Sequence, residues 1–432
     1  MNFPAAFLGG AKSRLLPASV PFSFFAAAAV FHVLAWLALF ASADELGGYT
    51  GGPGVVLAAI HLLTLGVLVM TVMGAAFQLL PVASRTPLSR VWPARLCFWL
   101  LATGTLLLSV GMAANNQGAM YWGGIVVSAS LSLFAIIFAG NLRHARDMAI
   151  VASHGWGAIG ALAGLVVLGL VLIADFSAGF LPNHQSLAVA HMLIAGFGFM
   201  GLMAFGFSHI LVPMFALSRA MPQKPGWLQF WLFIFACAFA VASAMVSNTP
   251  GLILAAVIGL GAGGVYLWLM RLALKSGMRK RLGLSFLMIK ISWCLLILCL
   301  ALGLALALGA PVPNGGVLFG FLLLCSWLLT FLTGVLQRIM PFLASMHAAG
   351  KGAKPALLSE LTAEVPLKVH AFCHLAAIAL CTVGIILDAA MPVMAGAGLG
   401  LAGAIAFAVF AGRIIFRLHA AHVDGKQTLA AA

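Results

Sequence analysis

The chain has 432 residues, of which 64% are hydrophobic and only 7% are charged. Water-soluble globular proteins carry about 25% charged residues, so this composition excludes a soluble domain. The formal net charge of +14 would suit a nucleic-acid-binding protein. The distribution of the basic residues along the chain excludes that class of protein too.

Apolar runs recur along the whole chain, and each is long enough to cross a hydrocarbon core about 30 Å thick. A segment in lipid must satisfy its own backbone hydrogen bonds, so these runs are predicted to be helices. The alternating pattern of a membrane β-barrel is absent. The sequence therefore predicts an all-α integral membrane protein forming one transmembrane domain over 1–432. Its twelve predicted spans are 20–41, 55–80, 96–114, 121–140, 152–174, 186–212, 227–247, 251–270, 283–308, 315–337, 367–388 and 392–415.

The lysines and arginines are predicted to lie on one side of this bundle. If residue 1 is cytoplasmic and successive spans alternate in direction, all 22 basic residues except Lys290, which lies in the ninth span, are cytoplasmic. This is the positive-inside bias of multi-pass membrane proteins. Both termini are therefore predicted to be cytoplasmic, in a bacterial inner membrane. The basic loops are expected to face anionic lipid, with no nucleic-acid partner.

Spans two, six and ten share a pattern near their inner ends, in which a glycine is followed by glutamine or histidine and then by proline. These three spans lie four helices apart, which predicts three parallel four-helix pseudo-repeats over 1–148, 149–277 and 278–432. The prolines are expected to close their helices. The residues of the pattern are Gly74, Gln78 and Pro81 in span two, Gly206, His209 and Pro213 in span six, and Gly334, Gln337 and Pro341 in span ten.

Histidine is the main polar residue inside the predicted spans, since carboxylates are nearly absent from them. Ionisable groups in a membrane usually face the bundle interior, and neutral imidazole ligates haem iron and copper. His61 and His191 each lie about six residues, or roughly 9 Å, inside the outer ends of spans two and six. They are predicted to lie at the same depth, where together they could bind a haem or a metal.

A second, inner layer of polar groups is predicted from the cytoplasmic halves of the spans. His370 and His374 are four residues apart, a spacing that places both rings on one helical face and suits a metal ion. His209 is expected at a similar depth and completes the predicted metal ligands, with Gln78 and Gln337 as further polar groups. Hydrogen bonding between helices is the alternative interpretation of each of these histidines.

The other seven of the twelve histidines are not assigned to a site. His154 lies near a helix end and His184 lies in an outer loop, so both are predicted to be solvated. His32 lies in the middle of its span, and the sequence leaves its role open.

Twelve spans in three parallel units, with cytoplasmic termini and a histidine at the outer end of span two, resemble subunit I of the haem–copper oxidases. The chain looks more similar still to diverged membrane relatives of that subunit, the group in which we place the NnrS family. In the oxidases the span-two histidine ligates the low-spin haem, and His61 matches that position. A span-six histidine of that family helps to bind copper, and His191 or His209 lies in the equivalent helix.

The resemblance implies haem and copper as cofactors, nitric oxide or respiratory metabolism as the setting, and respiratory-chain or denitrification components as partners. The chain departs from the oxidases, however, because it lacks their His-Pro-Glu motif in span six, their later histidine pair and their span-ten histidines. No membrane glutamate is present that could serve a proton channel. The expected function is therefore haem or copper binding without proton pumping.

Two other functions stay open at this point. Parallel repeats and twelve spans also suit a secondary transporter or permease for a small substrate, although such proteins usually place ionisable groups at the membrane midplane. A structural or assembly partner of a respiratory enzyme is the third possibility.

Overall fold

The computed structural model describes residues 14–349 and 362–430; Lys12, Lys351 and Lys354, three of the basic residues used to predict sidedness, lie outside this range. Within it, the chain forms twelve helices that are long and apolar enough to cross a membrane, which confirms the predicted spans. These are α1 Ser19–Ala41, α2 Val55–Ala83, α3 Trp92–Ala113, α4 Gln117–Leu142, α5 Ala149–Ala178, α6 His184–Ala216, α7 Gln223–Met245, α8 Thr249–Ser276, α9 Gly283–Ala307, α10 Gly315–His347, α11 Glu364–Leu387 and α12 Ala390–Ala420.

Helices α2, α6 and α10 form the centre of the bundle. In their most apolar segments 72%, 61% and 78% of the residues are buried, against 28–50% in the other nine helices of the described chain. The remaining helices therefore have one face toward the protein and one toward lipid. We call the end of the bundle where α2, α6 and α10 begin the outer end, and the opposite end the inner end.

The outer helices form a closed ring around this centre. The pairs α3 with α4, α7 with α8, and α11 with α12 pack as antiparallel hairpins. Between the hairpins, α4 contacts α5, α8 contacts α9, and α12 contacts α1. The last contact brings the end of the described chain back to its beginning, so the three central helices are surrounded on all sides.

Each central helix contains a stretch of eight π-helical residues, in which the backbone widens to i→i+5 hydrogen bonding. Such wide turns are rare and occur frequently at functional sites. All three stretches begin 19 residues before the inner proline of their helix. The pairs are Leu62 and Pro81 in α2, Ile194 and Pro213 in α6, and Leu322 and Pro341 in α10.

The three inner prolines were expected to close their helices, but the structure shows that they do not. Each lies inside its helix, and α2 continues for two residues beyond Pro81 to Ala83. Membrane helices tolerate such prolines because neighbouring groups can satisfy the freed backbone carbonyls. Near two of them the chain also turns back onto the helix end, since the amides of Thr86 and Ser218 donate to the carbonyls of Pro81 and Pro213 at 3.1 and 3.0 Å.

The glycine seven residues before each inner proline lets a central helix approach an outer one. A Cβ placed at Gly74 of α2 would lie 2.6 Å from the Phe24 Cβ of α1, and one at Gly206 of α6 would lie 2.7 Å from the His154 Cβ of α5. A Cβ at Gly334 of α10 would meet α9 at 3.0 Å. The distances at Gly74 and Gly206 are shorter than packed carbon atoms allow, so both positions require glycine for the observed helix contact, and the contact at Gly334 is tighter than ordinary packing.

Candidate functional site: a two-histidine cavity at the outer end

A cavity of about 740 Å³ lies in the outer half of the bundle, between the central helices and the outer ring. Its volume falls within the ~300–1,000 Å³ typical of pockets for small molecules and cofactors. Residues from α1 to α10 line it, and most of them are apolar. The π-helical stretches of α2, α6 and α10 all contribute to the wall, through residues such as Leu65, Phe197 and Leu324.

His61 of α2 faces this cavity from the residue immediately before the π-helical stretch. Its Nδ1 lies 2.9 Å from the carbonyl oxygen of Leu57, one turn earlier. A carbonyl can only accept, so Nδ1 donates its hydrogen and the lone pair of the neutral ring is on Nε2. This arrangement, with one ring nitrogen fixed by a backbone carbonyl, is the one that orients most metal-ligating histidines.

His191 of α6 lines the same cavity. Its ring packs over Gly169 of α5, where an added Cβ would lie 3.2 Å from the His191 Cε1. The Nδ1 atom of His191 is buried and has no hydrogen-bond partner among the described residues. The two predicted ligands thus line the same cavity.

His61 and His191 were predicted to lie at the same depth, but they do not occupy equivalent positions in their helices. His61 directly precedes its π-helical stretch, whereas Met192 and Leu193 separate His191 from the start of its own at Ile194. Relative to the inner prolines, His191 is therefore two residues farther out. His61 and His191 therefore share a cavity but not an equivalent position in the repeat.

The outer mouth of the cavity carries several polar groups. They include the side chains of Tyr49, Thr50, His184 and Gln185. The hydroxyl of Tyr49 donates to the carbonyl oxygen of Gly52 at 3.1 Å. Burial raises the pKa of Tyr49 to about 12, so the phenol keeps its proton at neutral pH.

His184 was expected to be solvated, but it lines the mouth of this cavity. Its Nδ1 lies 2.7 Å from Oδ2 of Asp175, and its side chain is only 29% exposed. The pair spans the turn between α5 and α6. The signal in the sequence that could have identified this pair is an aspartate nine residues before a histidine, with a short turn between them.

The predicted inner layer divides into separate clusters. His209 of α6 lies beside His154 of α5, with ring centroids 5.6 Å apart, and its Nε2 is 3.1 Å from Oε1 of Gln229 on α7. His154 is fully buried, so the expectation that it is solvated was wrong. The depth of a residue in a helix can be estimated from sequence, but the direction of its side chain depends on the neighbouring helices.

His370 and His374 of α11 form the second cluster, together with His32 of α1. The ring centroids are 5.4 Å apart between His370 and His374 and 5.9 Å apart between His370 and His32. Hydrogen bonds hold all three rings. Nδ1 of His370 donates to the Gly403 carbonyl at 3.1 Å, Nε2 of His374 lies 2.8 Å from the Thr330 hydroxyl, and Trp36 donates to Nε2 of His32 at 3.0 Å. These contacts join α1, α10, α11 and α12.

The two glutamines of the predicted inner layer are buried near the inner end of the bundle. Neither amide group of Gln78 or Gln337 has a hydrogen-bond partner in the protein. Gln78 lines a small cavity of about 30 Å³, together with residues of α6 and α10. That space is large enough for about one water molecule, which could satisfy the buried amide.

Over residues 14–349 and 362–430, no three histidine, cysteine, aspartate or glutamate side chains are arranged so that they could hold a metal ion. The set of His209, His370 and His374 therefore does not form one site. Each of these three histidines forms a hydrogen bond to a neighbouring helix, which is the contact that the alternative interpretation predicts.

Comparison with known proteins adds no assignment. The sequence matches no protein-family model, and no curated protein shows significant similarity to it. The function must therefore be argued from the cavity and its residues.

Proposed function

We propose that this multi-pass membrane protein binds haem in the outer cavity, with His61 and His191 as ligands to the iron. The observation that carries the proposal is that imidazoles from two central helices line one large and mainly apolar cavity. Haem is an apolar macrocycle whose own nitrogens hold most of the iron's coordination positions, so the protein would have to supply only one or two further ligands such as histidine.

The residues present fit such a group. His61 has its Nδ1 fixed by the Leu57 carbonyl and offers Nε2 as a lone pair. His191 has a buried nitrogen without a partner, a situation that costs about 1–3 kcal/mol unless a ligand offsets it. The surrounding wall is hydrophobic, as the faces of a porphyrin require.

A copper ion bound by protein side chains, which the sequence also suggested, is not part of this proposal. Binding by His209, His370 and His374 would require ligands that converge, and the described residues contain no such group of three. The haem iron needs fewer protein ligands, which is why it suits a site built from two histidines.

When bound, haem would supply an iron that can exchange electrons. The contribution of the chain would be to hold the iron with two imidazoles and to exclude water with a mainly apolar wall. No aspartate, glutamate, lysine or arginine is among the described residues that line the cavity. We infer a role in nitric oxide or respiratory metabolism without proton pumping.

We also infer that the twelve helices are three parallel pseudo-repeats of four. The equal spacing from each π-helical stretch to its inner proline supports this inference. So do the glycines Gly74, Gly206 and Gly334, each of which packs its central helix against the first helix of its own repeat. The bias of the basic residues supports an inner end that faces the cytoplasm of a bacterial cell.

A substitution beside His191 tests the site without removing a ligand. Gly169→Val adds a side chain that must displace the His191 ring, because even its Cβ would lie 3.2 Å from Cε1. We expect the affinity for haem to fall by about tenfold or more in a titration of the purified apo-protein. Gly160→Val on the same helix is the matched control, since a Cβ at Gly160 meets nothing within 4 Å. Equal haem affinities for the two variants would argue against the site.

A further inference from the structure

The Asp175–His184 pair is a built polar site at the mouth of the cavity. Asp175 is buried at the end of α5, and its Oδ1 accepts a hydrogen bond from the Leu181 amide at 2.7 Å. Its Oδ2 lies 2.7 Å from Nδ1 of His184, the first residue of α6. Both carboxylate oxygens are thus engaged, and the orientation of the His184 ring is fixed.

The contact with Asp175 determines which ring nitrogen of His184 is free to bind a ligand. Nδ1 carries the hydrogen directed at the carboxylate, so Nε2 is the edge left for another partner. The ring also packs on Phe176, with centroids 4.6 Å apart, and both residues line the cavity. When the ring is protonated, Asp175 balances its charge and the Nε2–H can donate to an anion.

The polarity of the cavity indicates what kind of ligand would use this group. The deep wall is lined mainly by hydrophobic residues such as Leu65, Leu68 and Leu131, whereas the outer mouth carries the polar side chains of Tyr49, Thr50, His184 and Gln185. No acidic side chain of the described chain lines the cavity and could repel an anion. A ligand that matches this arrangement has a large apolar body and an acidic group at its outer end.

We propose that His184, held by Asp175, binds a carboxylate of the ligand at the outer mouth of the cavity. The inference rests on the proposed haem site and specifies its ligand, because the propionate side chains of haem are such carboxylates. Asp175 acts as a positioning residue, since it touches His184 and not the ligand. The turn between α5 and α6 then places the acidic edge of the porphyrin toward the outer end of the bundle.

Haem and its dimethyl ester test this role, because the ester keeps the macrocycle and the iron but has no carboxylate. Both are titrated into purified apo-protein in nanodiscs, using the wild type, His184→Ala and His144→Ala. We expect the wild type to bind haem about tenfold or more tightly than the ester. His184→Ala should weaken haem binding to the level of the ester while leaving ester binding unchanged. The control residue His144 is exposed and bonds only to the Gly140 carbonyl of its own helix, so His144→Ala should behave as the wild type.

Unchanged ester binding by His184→Ala also shows that the variant is folded. Asp175→Asn provides a second variant and should likewise reduce the preference for haem over the ester. If the wild type binds haem and ester equally, or if His184→Ala keeps the preference, the carboxylate role is overturned and the haem site stands. If the wild type binds neither compound, the proposed function itself is wrong.

Discussion

Replacement of His61 by alanine is expected to weaken haem binding by about 100-fold or more. The loss of a group that hydrogen-bonds to a metal ligand costs about 10–100-fold in affinity, and the loss of the ligand itself should cost more. The fold should tolerate the change, because His61 is only partly buried. The measurement is a spectrophotometric titration of purified apo-protein with haem, followed through the Soret band.

The same titration of His191→Ala should show a changed spectrum as well as a lower affinity, because one protein ligand to the iron would remain. His419→Ala is a suitable control, since His419 is exposed and its Nδ1 bonds only to the Ile415 carbonyl of its own helix. If both single variants bind haem with the affinity and spectrum of the wild type, His61 and His191 are not the ligands.

Valine in place of the glycine seven residues before each inner proline is expected to destabilise the protein strongly. At Gly74 and Gly206 even the Cβ would lie 2.6 and 2.7 Å from the Cβ atoms of Phe24 and His154. Overpacking of this kind typically costs about 1–3 kcal/mol and sometimes more. Thermal unfolding in detergent, followed by size-exclusion chromatography, would show a lower midpoint for both variants.

The third glycine makes this a test of the inferred repeat. Gly334→Val should be destabilised in the same way, because its Cβ would lie 3.0 Å from atoms of α9, including the Ser285 carbonyl oxygen. Gly261→Val is the control, since a Cβ there meets nothing within 4 Å and the position is exposed on α8. Sensitivity at only one of the three positions would contradict the equivalence of α2, α6 and α10.

The sequence predicted the spans closely because the thickness of a membrane sets the length of an apolar helix. The ninth span was predicted over 283–308 and is found as Gly283–Ala307. The longest helices were predicted too short at their inner ends, where proline was taken as a stop. The tenth span was predicted to end at 337, yet α10 continues past Pro341 to His347.

Local sequence carried no signal for the π-helical stretches. A change from i→i+4 to i→i+5 hydrogen bonding hardly alters the hydropathy or the length of a helix, so amino-acid composition does not reveal it. The stretch from Leu62 to Val69 is as apolar as any ordinary span. Its position became visible only in the backbone of the structure.

For the site, residue type and depth were predictable but direction and partners were not. His61 and His191 were singled out from the sequence as a pair of ligands, which stays a prediction; the structure shows that both line one cavity. His209 was grouped with His370 because both lie in the inner half, yet their rings face different neighbouring helices. His184 was missed because its partner Asp175 lies on the preceding helix.

The absorption spectrum and iron content of the intact protein, purified from cells supplied with haem, test the central claim most directly. The account predicts a Soret band and iron bound to the protein, both lost when His61 and His191 are replaced together by alanine. A colourless, iron-free protein that also fails to bind added haem would contradict it.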